Sequence, residues 1–334
     1  MKKGLSFEFS QVTEMAALAA FEWVGKGNKN AADDAAVKAM RDLLSQMAIR
    51  GEIVIGEGEI DDAPMLYIGE SVGLNRAGDD EVSIAVDPID GTRMTAMGQA
   101  NALSVLAVGK QGAFLKAPDM YMEKLIVGKE AKEVIDLALP LDQNLHQIAK
   151  AKKKPLLALR VAILDKPRHS EIINQMQQLG VSVISIPDGD VAAAVQCCLP
   201  NANIDLLYGI GGAPEGVIAA AAVRALGGNM QARLLPRNQV KGNSVETQRL
   251  AEMEIARCKA LNVPVNEILK LDDLVCNDEV TFVATGITHG ELVKGIQYNN
   301  KMFTTETLLI CGETNSIHKM QSSYLGNKKT DCAV

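Results

Sequence analysis

Val82-Ser83-Ile84-Ala85-Val86-Asp87-Pro88-Ile89-Asp90-Gly91-Thr92 is the stretch on which the reading of this chain turns. Residues 82–86 are apolar but for one serine and read as a strand. Pro88 has no amide to donate to a sheet ladder and is expected to stop it. Asp87 and Asp90 can then converge, while Gly91 and Thr92 let backbone and hydroxyl approach a ligand closely. A plain turn between two strands is the bland alternative.

Upstream, a short strand at Ile53–Ile55 runs into Ile55-Gly56-Glu57-Gly58-Glu59-Ile60-Asp61-Asp62-Ala63-Pro64, which crowds four acids into six positions. Like charges packed this tightly repel unless they are solvated or neutralised by a cation. An acidic surface loop is the commoner use of such a run, but loops at strand ends also carry function. Further upstream, Gln11 to Trp23 reads as a helix. A second helix is expected from an N-cap at Asn30 to about Ala48. Val37, Met40, Leu44 and Met47 form its buried stripe, and each points within about 40° of Asp33. Asp33 thus extends the stripe into the first turn, and Asp34 points away. Asp33 also has a purely structural use, since an acid near a helix start complements the dipole.

Downstream, a strand is expected at Leu103–Val108, which makes the first half a mixed sheet covered by helices. The charged stretch Lys150–Lys154 with Pro155 suggests a subdomain boundary, dividing the chain into 1–155 and 156–334. Strands at Val161–Leu164, Val181–Ile186, Ile204–Tyr208 and Val280–Ala284 alternate with helical segments, the pattern of a largely parallel sheet. The overall class is α/β. Three loops follow these strands. Leu164-Asp165-Lys166-Pro167-Arg168 places two cations at a strand's carboxyl end, the edge where open α/β sheets bind ligands. Arginine's fork suits a phosphate that is held. Pro187-Asp188-Gly189-Asp190 offers acceptors for sugar hydroxyls, although Asp190 has a second use as an N-cap. Gly209-Ile210-Gly211-Gly212-Ala213-Pro214-Glu215-Gly216 permits close backbone approach but has neither G-x-G-x-x-G spacing nor a Walker lysine, which disfavours a nucleotide.

The composition narrows the partners. With 334 residues and a net charge of −7, nucleic acid and anionic membrane surfaces are disfavoured. No apolar run approaches the roughly 20 residues of a membrane span. The start lacks a signal-peptide core, and six scattered cysteines without C-x-x-C fit reduced thiols, so a cytoplasmic protein is expected. The acids supply hard oxygen donors with no thiol or imidazole among them, a set that favours Mg²⁺ or Mn²⁺. Carboxylates from separate segments suit two or more such ions, about 3.5–4 Å apart, beside a phosphate ester.

The string Asp87-Pro88-Ile89-Asp90-Gly91-Thr92 resembles the signature of the lithium-sensitive-type phosphatase superfamily. With Lys29–Asp33, Val54–Asp61, Ala63–Glu70, Thr92–Leu103, Ala117–Met122, Lys166–His169, Pro187–Ala192 and Gly211–Val217, the chain resembles the bacterial class II (GlpX-type) fructose-1,6-bisphosphatases over nearly its whole length. The resemblance implies a layered α/β sandwich of two subdomains, with alternating helix and sheet layers and the active site between the halves. It implies metal ligation by Asp33, Glu57, Asp87, Asp90 and Glu215, with Mn²⁺ or Mg²⁺ as cofactor. Substrate contacts are implied from Asp90, Gly91, Thr92, Tyr121, Lys166, Pro167, Arg168, Asp188, Gly189, Asp190 and Gly212. Asp61, with Glu59 nearby, looks like the pair that activates or orients the attacking water, and Thr92 helps to position it. Many family members carry Glu where this chain has Asp90. The implied reaction is hydrolysis of the 1-phosphate of fructose 1,6-bisphosphate in gluconeogenesis, by a homo-oligomer, dimer or tetramer. Rival substrates are sedoheptulose 1,7-bisphosphate and an inositol phosphate, though Lys166 and Arg168 argue for a second phosphate. A non-catalytic sugar-phosphate-binding regulator is the rival of another class.

Overall fold

The computed structural model describes residues 4–56 and 65–325. In chain order the first half contains α1 (Leu5–Phe21), α2 (Lys29–Leu44), β1 (Ile49–Ile55), β2 (Ser71–Val72), β3 (Asp80–Asp90), α3 (Thr92–Met97), β4 (Leu103–Lys110), β5 (Tyr121–Val127) and α4 (Leu141–Ala151). There follow β6 (Arg160–Leu164), α5 (Ser170–Gln178), β7 (Ser182–Ile186), α6 (Val191–Cys198), β8 (Leu206–Gly212), α7 (Ala213–Ala225) and β9 (Asn229–Leu235). The chain continues with α8 (Arg237–Lys241), α9 (Val245–Ala260), β10 (Ile268–Lys270), α10 (Leu271–Leu274), β11 (Val280–Gly286), β12 (Gln297–Asn299), β13 (Met302–Cys311) and β14 (Ser316–Leu325).

These elements stack as helix, sheet, helix, sheet, helix. The outer helices α1 and α2 bury Phe9 and Met40 with Ile53 and Ile84 on one face of the first sheet. The central helices α6 and α7 fill the space between the sheets, where Val217 shares a core with Val105 and Phe282 of one sheet and Met122 and Ile126 of the other. Four consecutive alanines of α7, Ala219 to Ala222, are fully buried. Their small side chains allow both sheets to approach the helix closely. On the far side, Leu145 of α4 and Met176 of α5 pack on Val161 and Ile163. Burying each such aliphatic side chain contributes about 1.5–3 kcal/mol. The chain is therefore an α/β layered sandwich.

The first sheet runs β12-β13-β11-β4-β3-β1-β2, with β14 added on β13. Among the described residues only β1 and β3 in it are parallel. The second runs β10-β9-β5-β8-β6-β7. Its parallel part is confined to β7-β6-β8, and β5 pairs antiparallel with both β8 and β9. The expectation of a largely parallel second half is corrected on this point. The strand expected at Val280–Ala284 belongs to the first sheet, antiparallel to β4 and β13. Sheet membership also crosses residue 155 in both directions, because β5 lies in the second sheet while β11 to β14 return to the first. The two halves of the sequence are thus not two consecutive sheets. Periodicity reports that a strand is buried, not which strand will be its neighbour.

Three local expectations are revised. The cap of α2 is Asn28, not Asn30, because its side chain accepts the Ala31 amide at 3.1 Å. Pro88 does not end β3. The register on β4 jumps from Asp87↔Val105 to Asp90↔Leu103, so Pro88 falls in a bulge where no ladder amide is required. The mixed polarity from His318 onward suggests a mobile tail or part of a subunit contact; as far as Leu325 the chain is instead strand, β14, paired with β13 along its whole length, which overturns the mobile tail alone.

Candidate active site

The carboxyl ends of β3, β6, β7 and β8 and the start of β5 open onto two adjoining cavities. The first, about 380 Å³, is lined by Asp33, Asp87, Asp90, Thr92 and Glu215 together with Lys29 and Asn30. The second, about 330 Å³, is lined by Tyr121, Lys166, Arg168, Asp190 and Gly212 together with Arg237 and Lys241. Asp119, Asp188, Gly189 and Glu215 border both. One end of the cleft is acidic and the other basic, and carboxylates and a glycine form the seam.

Local structure explains how the acidic end is built. In the β3 bulge the Ile89 amide donates to Asp87 Oδ1 at 3.0 Å, and Asp90 turns inward to 2% exposure. The Thr92 hydroxyl donates to the Ile89 carbonyl at 3.3 Å, tying the start of α3 to the same bulge. Asp90 Oδ2 accepts the Val191 amide at 3.3 Å, a bond that joins the first sheet to the first residue of α6. Gly189 is obligatory there: its φ is +63°, and a Cβ would stand 2.9 Å from Asp90 Oδ1. On α2, Asp33 is half-buried and Asp34 exposed, as the stripe predicts. Glu215 lies in the first turn of α7, behind Pro214.

Charge is held here at a cost. Burial, then the neighbouring Asp190 and Glu215 carboxylates, holds Asp90 well above the usual carboxylate range, against the pull of Lys124. Burial also raises Glu215, with Lys124 opposing and Asp190 adding to the rise. Asp33 is raised by burial and by Asp34, with Lys29 opposing. Glu215 Oε2 is buried and has no hydrogen-bond partner among the described residues. A buried acceptor without a donor costs about 1–3 kcal/mol, more when charged. A hard divalent cation removes both the repulsion and the unmet acceptor, so these residues fit one. Among the described residues no three acid, histidine or cysteine side chains already form a metal-holding cluster.

The basic end is ordered differently. Lys166 Nζ pairs with Asp188 Oδ1 at 3.2 Å. Arg168 donates to the Ile210 carbonyl from Nε at 3.0 Å and from a terminal nitrogen at 2.6 Å. Its guanidinium lies 5.2 Å from the Tyr121 ring centroid, and that of Arg237 lies 6.0 Å away. Tyr121 therefore lies within cation–π reach of two arginines, a contact worth about 0.5–1 kcal/mol per cation at partly exposed sites. Arg237 is anchored through its own amide and Nε to Glu254, at 2.7 and 3.0 Å. These cations face space that an anion can fill.

A family model described as bacterial fructose-1,6-bisphosphatase, glpX-encoded, matches residues 3–324. The chain belongs to that family. It is 62% identical over 324 residues to the class 2 fructose-1,6-bisphosphatase of Haemophilus influenzae, covering 97% of each chain. It is 58% identical over 335 residues to fructose-1,6-bisphosphatase 1 class 2 of Escherichia coli K12, covering all of this chain and 99% of that one. A second protein of that organism, fructose-1,6-bisphosphatase 2 class 2, is 53% identical over 320 residues, covering 96% of this chain and 99% of the relative.

Of the residues named from the sequence, the structure brings Asp33, Asp87, Asp90, Gly91, Thr92 and Glu215 around one cavity and Tyr121, Lys166, Arg168, Asp190 and Gly212 around the other, with Asp188 and Gly189 between them. Pro167 opens the helical turn between Lys166 and α5 and lines neither cavity. Glu57, Glu59 and Asp61 lie outside the described residues. Sequence reasoning missed Lys29, Asp119, Arg237 and Lys241. Asp119 was within reach, two residues before Tyr121 in a matching string. Arg237 had no signal, because β9 and α8 were not read as elements.

Proposed function

We propose that this chain hydrolyses the 1-phosphate of fructose 1,6-bisphosphate, releasing fructose 6-phosphate and inorganic phosphate, and that it serves gluconeogenesis. The observation that carries this reading is the paired cleft of a family member: an acidic cavity with a buried carboxylate oxygen that has no partner among the described residues, opening directly into a basic cavity. The first suits the phosphoryl group that is cleaved, and the second suits a phosphate that is only held.

Asp33, Asp87, Asp90 and Glu215, together with Glu57, would hold Mn²⁺ or Mg²⁺. When bound, such ions supply nucleophile activation and neutralise charge on the phosphoryl oxygens and the departing alkoxide. Asp61 with Glu59 accepts a proton from the attacking water, and Thr92 orients that water. As the water oxygen bonds to phosphorus, the bond from phosphorus to the C1 oxygen breaks, and a proton passes to that oxygen. Arg168, Lys166 and Tyr121 bind the distal phosphate. Asp188, Asp190 and the Gly212 backbone face the sugar. The working form is a homo-oligomer, dimer or tetramer, which the mass in solution tests.

Phosphate release from fructose 1,6-bisphosphate by purified protein, with Mn²⁺, with Mg²⁺ and in excess chelator, is the test. Metal-dependent turnover is expected. Full turnover in chelator would overturn the reading, as would stabilisation by the sugar without any turnover. A higher kcat/KM on sedoheptulose 1,7-bisphosphate would reassign the substrate but keep the site.

A further inference from the structure

Lys124 lies on β5, three residues after Tyr121, and is 1% exposed. Its neighbours two positions away on the same strand face, Met122 and Ile126, belong to the core shared with α7. A lysine therefore occupies a place where strand alternation calls for an aliphatic side chain. An ammonium buried there is costly unless it is paired and hydrogen-bonded. Its nitrogen lies 2.5 Å from Asp190 Oδ2 and donates to the Gly212 carbonyl at 3.3 Å.

Those two partners belong to different functional loops. Asp190 occupies the cap position of α6, yet its side chain makes no cap bond and is given instead to Lys124. The next residue, Val191, donates its amide to Asp90 Oδ2. Gly212 precedes α7, the helix that carries Glu215. One ammonium thus ties β5 to the loop that faces the sugar and to the turn that presents an acid. The surrounding chain leaves room for it: a Cβ at Gly211 would stand 2.5 Å from Asp190 Oδ2 and 2.8 Å from Lys124 Nζ.

We propose that Lys124 is a positioning residue for the phosphatase reaction, holding the Asp190 carboxylate and the Gly211–Gly212 backbone in the arrangement that receives the sugar. This rests on the function proposed above. Lys124 lines neither cavity, so it acts through Asp190 and the turn and not by touching substrate. Breaking a buried pair from one side is far more damaging to a fold than removing both members together. That difference separates positioning from support.

The test is a double-mutant cycle of Lys124→Met, Asp190→Asn and the double variant, with Tm, kcat and KM for fructose 1,6-bisphosphate at saturating Mn²⁺. Lys124→Met is expected to raise KM by about tenfold or more and to lower kcat. The double variant is expected to regain most of the lost Tm without regaining KM, and the two effects on kcat/KM should be strongly non-additive. Recovery of kcat and KM along with Tm would overturn the proposal, as would additive effects or wild-type kinetics in Lys124→Met. If Lys124→Met does not fold, the double variant set against Asp190→Asn decides, because the proposal requires the second substitution to add little loss of kcat/KM. Absence of Mn²⁺-dependent turnover in the wild type would instead refute the function itself.

Discussion

Two buried carboxylates, Glu14 on α1 and Glu215 on α7, are treated in opposite ways. Glu14 is 1% exposed, and its oxygens accept from the hydroxyls of Thr307 at 3.0 Å, Ser322 at 2.9 Å and Tyr324. The donors come from β13 and β14, so the carboxylate fastens the last strands of the first sheet to the outer helix. Glu215 has one buried oxygen to which nothing among the described residues donates, and it stands with Asp90, whose ionised form is likewise disfavoured. The first acid has its demand met by the protein. The second is kept in deficit beside an open cavity, as expected of a group reserved for a ligand.

The largest effect expected from this contrast is on turnover. Glu215→Gln should lower kcat/KM by about three orders of magnitude, the equivalent of the several kcal/mol that a cation's charge stabilisation supplies. The Tm of the metal-free protein should not fall, because the variant removes an uncompensated charge. The stabilisation that Mn²⁺ adds to the wild type should shrink. A loss of Tm with Mn²⁺ stabilisation intact would show Glu215 to be a structural acid like Glu14.

Glu14→Gln should do the reverse. An amide keeps one acceptor oxygen and brings donors where three hydroxyls already donate, so about 2 kcal/mol of stability is expected to be lost. Thermal unfolding would read this as a drop of several degrees, with kcat per folded molecule unchanged. A tenfold fall in kcat at unchanged Tm would break the comparison from the other side.

The sequence carried one of these acids and not the other. Glu215 was legible because it follows a glycine-rich loop and a proline at a helix start. Glu14 sits inside a continuous helical pattern, and its partners lie about 290 to 310 residues away along the chain. No local pattern reports such a separation. The same limit applies to the sheets. The strands β3, β4, β6, β7 and β8 and the acids of the β3 bulge could be read from short apolar runs and their punctuation. The insertion of β5 between β8 and β9 could not, since pairing is decided by which faces must be buried against α6 and α7. Arg237 and Lys124 were missed for related reasons: one follows an unread strand, and the other is a charge on a strand face that Met122 and Ile126 otherwise give to the core.

His169 extends the contrast to a base and carries the smallest expected effect. Fully buried, it donates from Nδ1 to the Leu164 carbonyl at 2.7 Å and accepts the Ile210 amide on Nε2 at 2.8 Å. The second bond requires the neutral ring, whereas the Nδ1 donation is open to either form. Burial, then the nearby Arg168 and Lys124 charges, lowers its pKa below the ordinary 6.5, against the Leu164 bond. The unfolded chain therefore binds a proton over a range where the folded chain does not. The associated stability is complete above about pH 6.5 and declines as the pH falls toward the lowered value. Protonation would also displace the Ile210 amide, whose carbonyl holds Arg168. KM for the bisphosphate should thus rise severalfold as the pH is lowered through the depressed pKa of His169, with a smaller change in kcat at saturating substrate and metal. His169→Gln keeps an acceptor toward Ile210 but cannot titrate, so it should flatten this part of the pH profile of KM. An unchanged profile in that variant would place the titrating group elsewhere in the cleft and remove His169 from the class of buried groups whose satisfaction matters to binding.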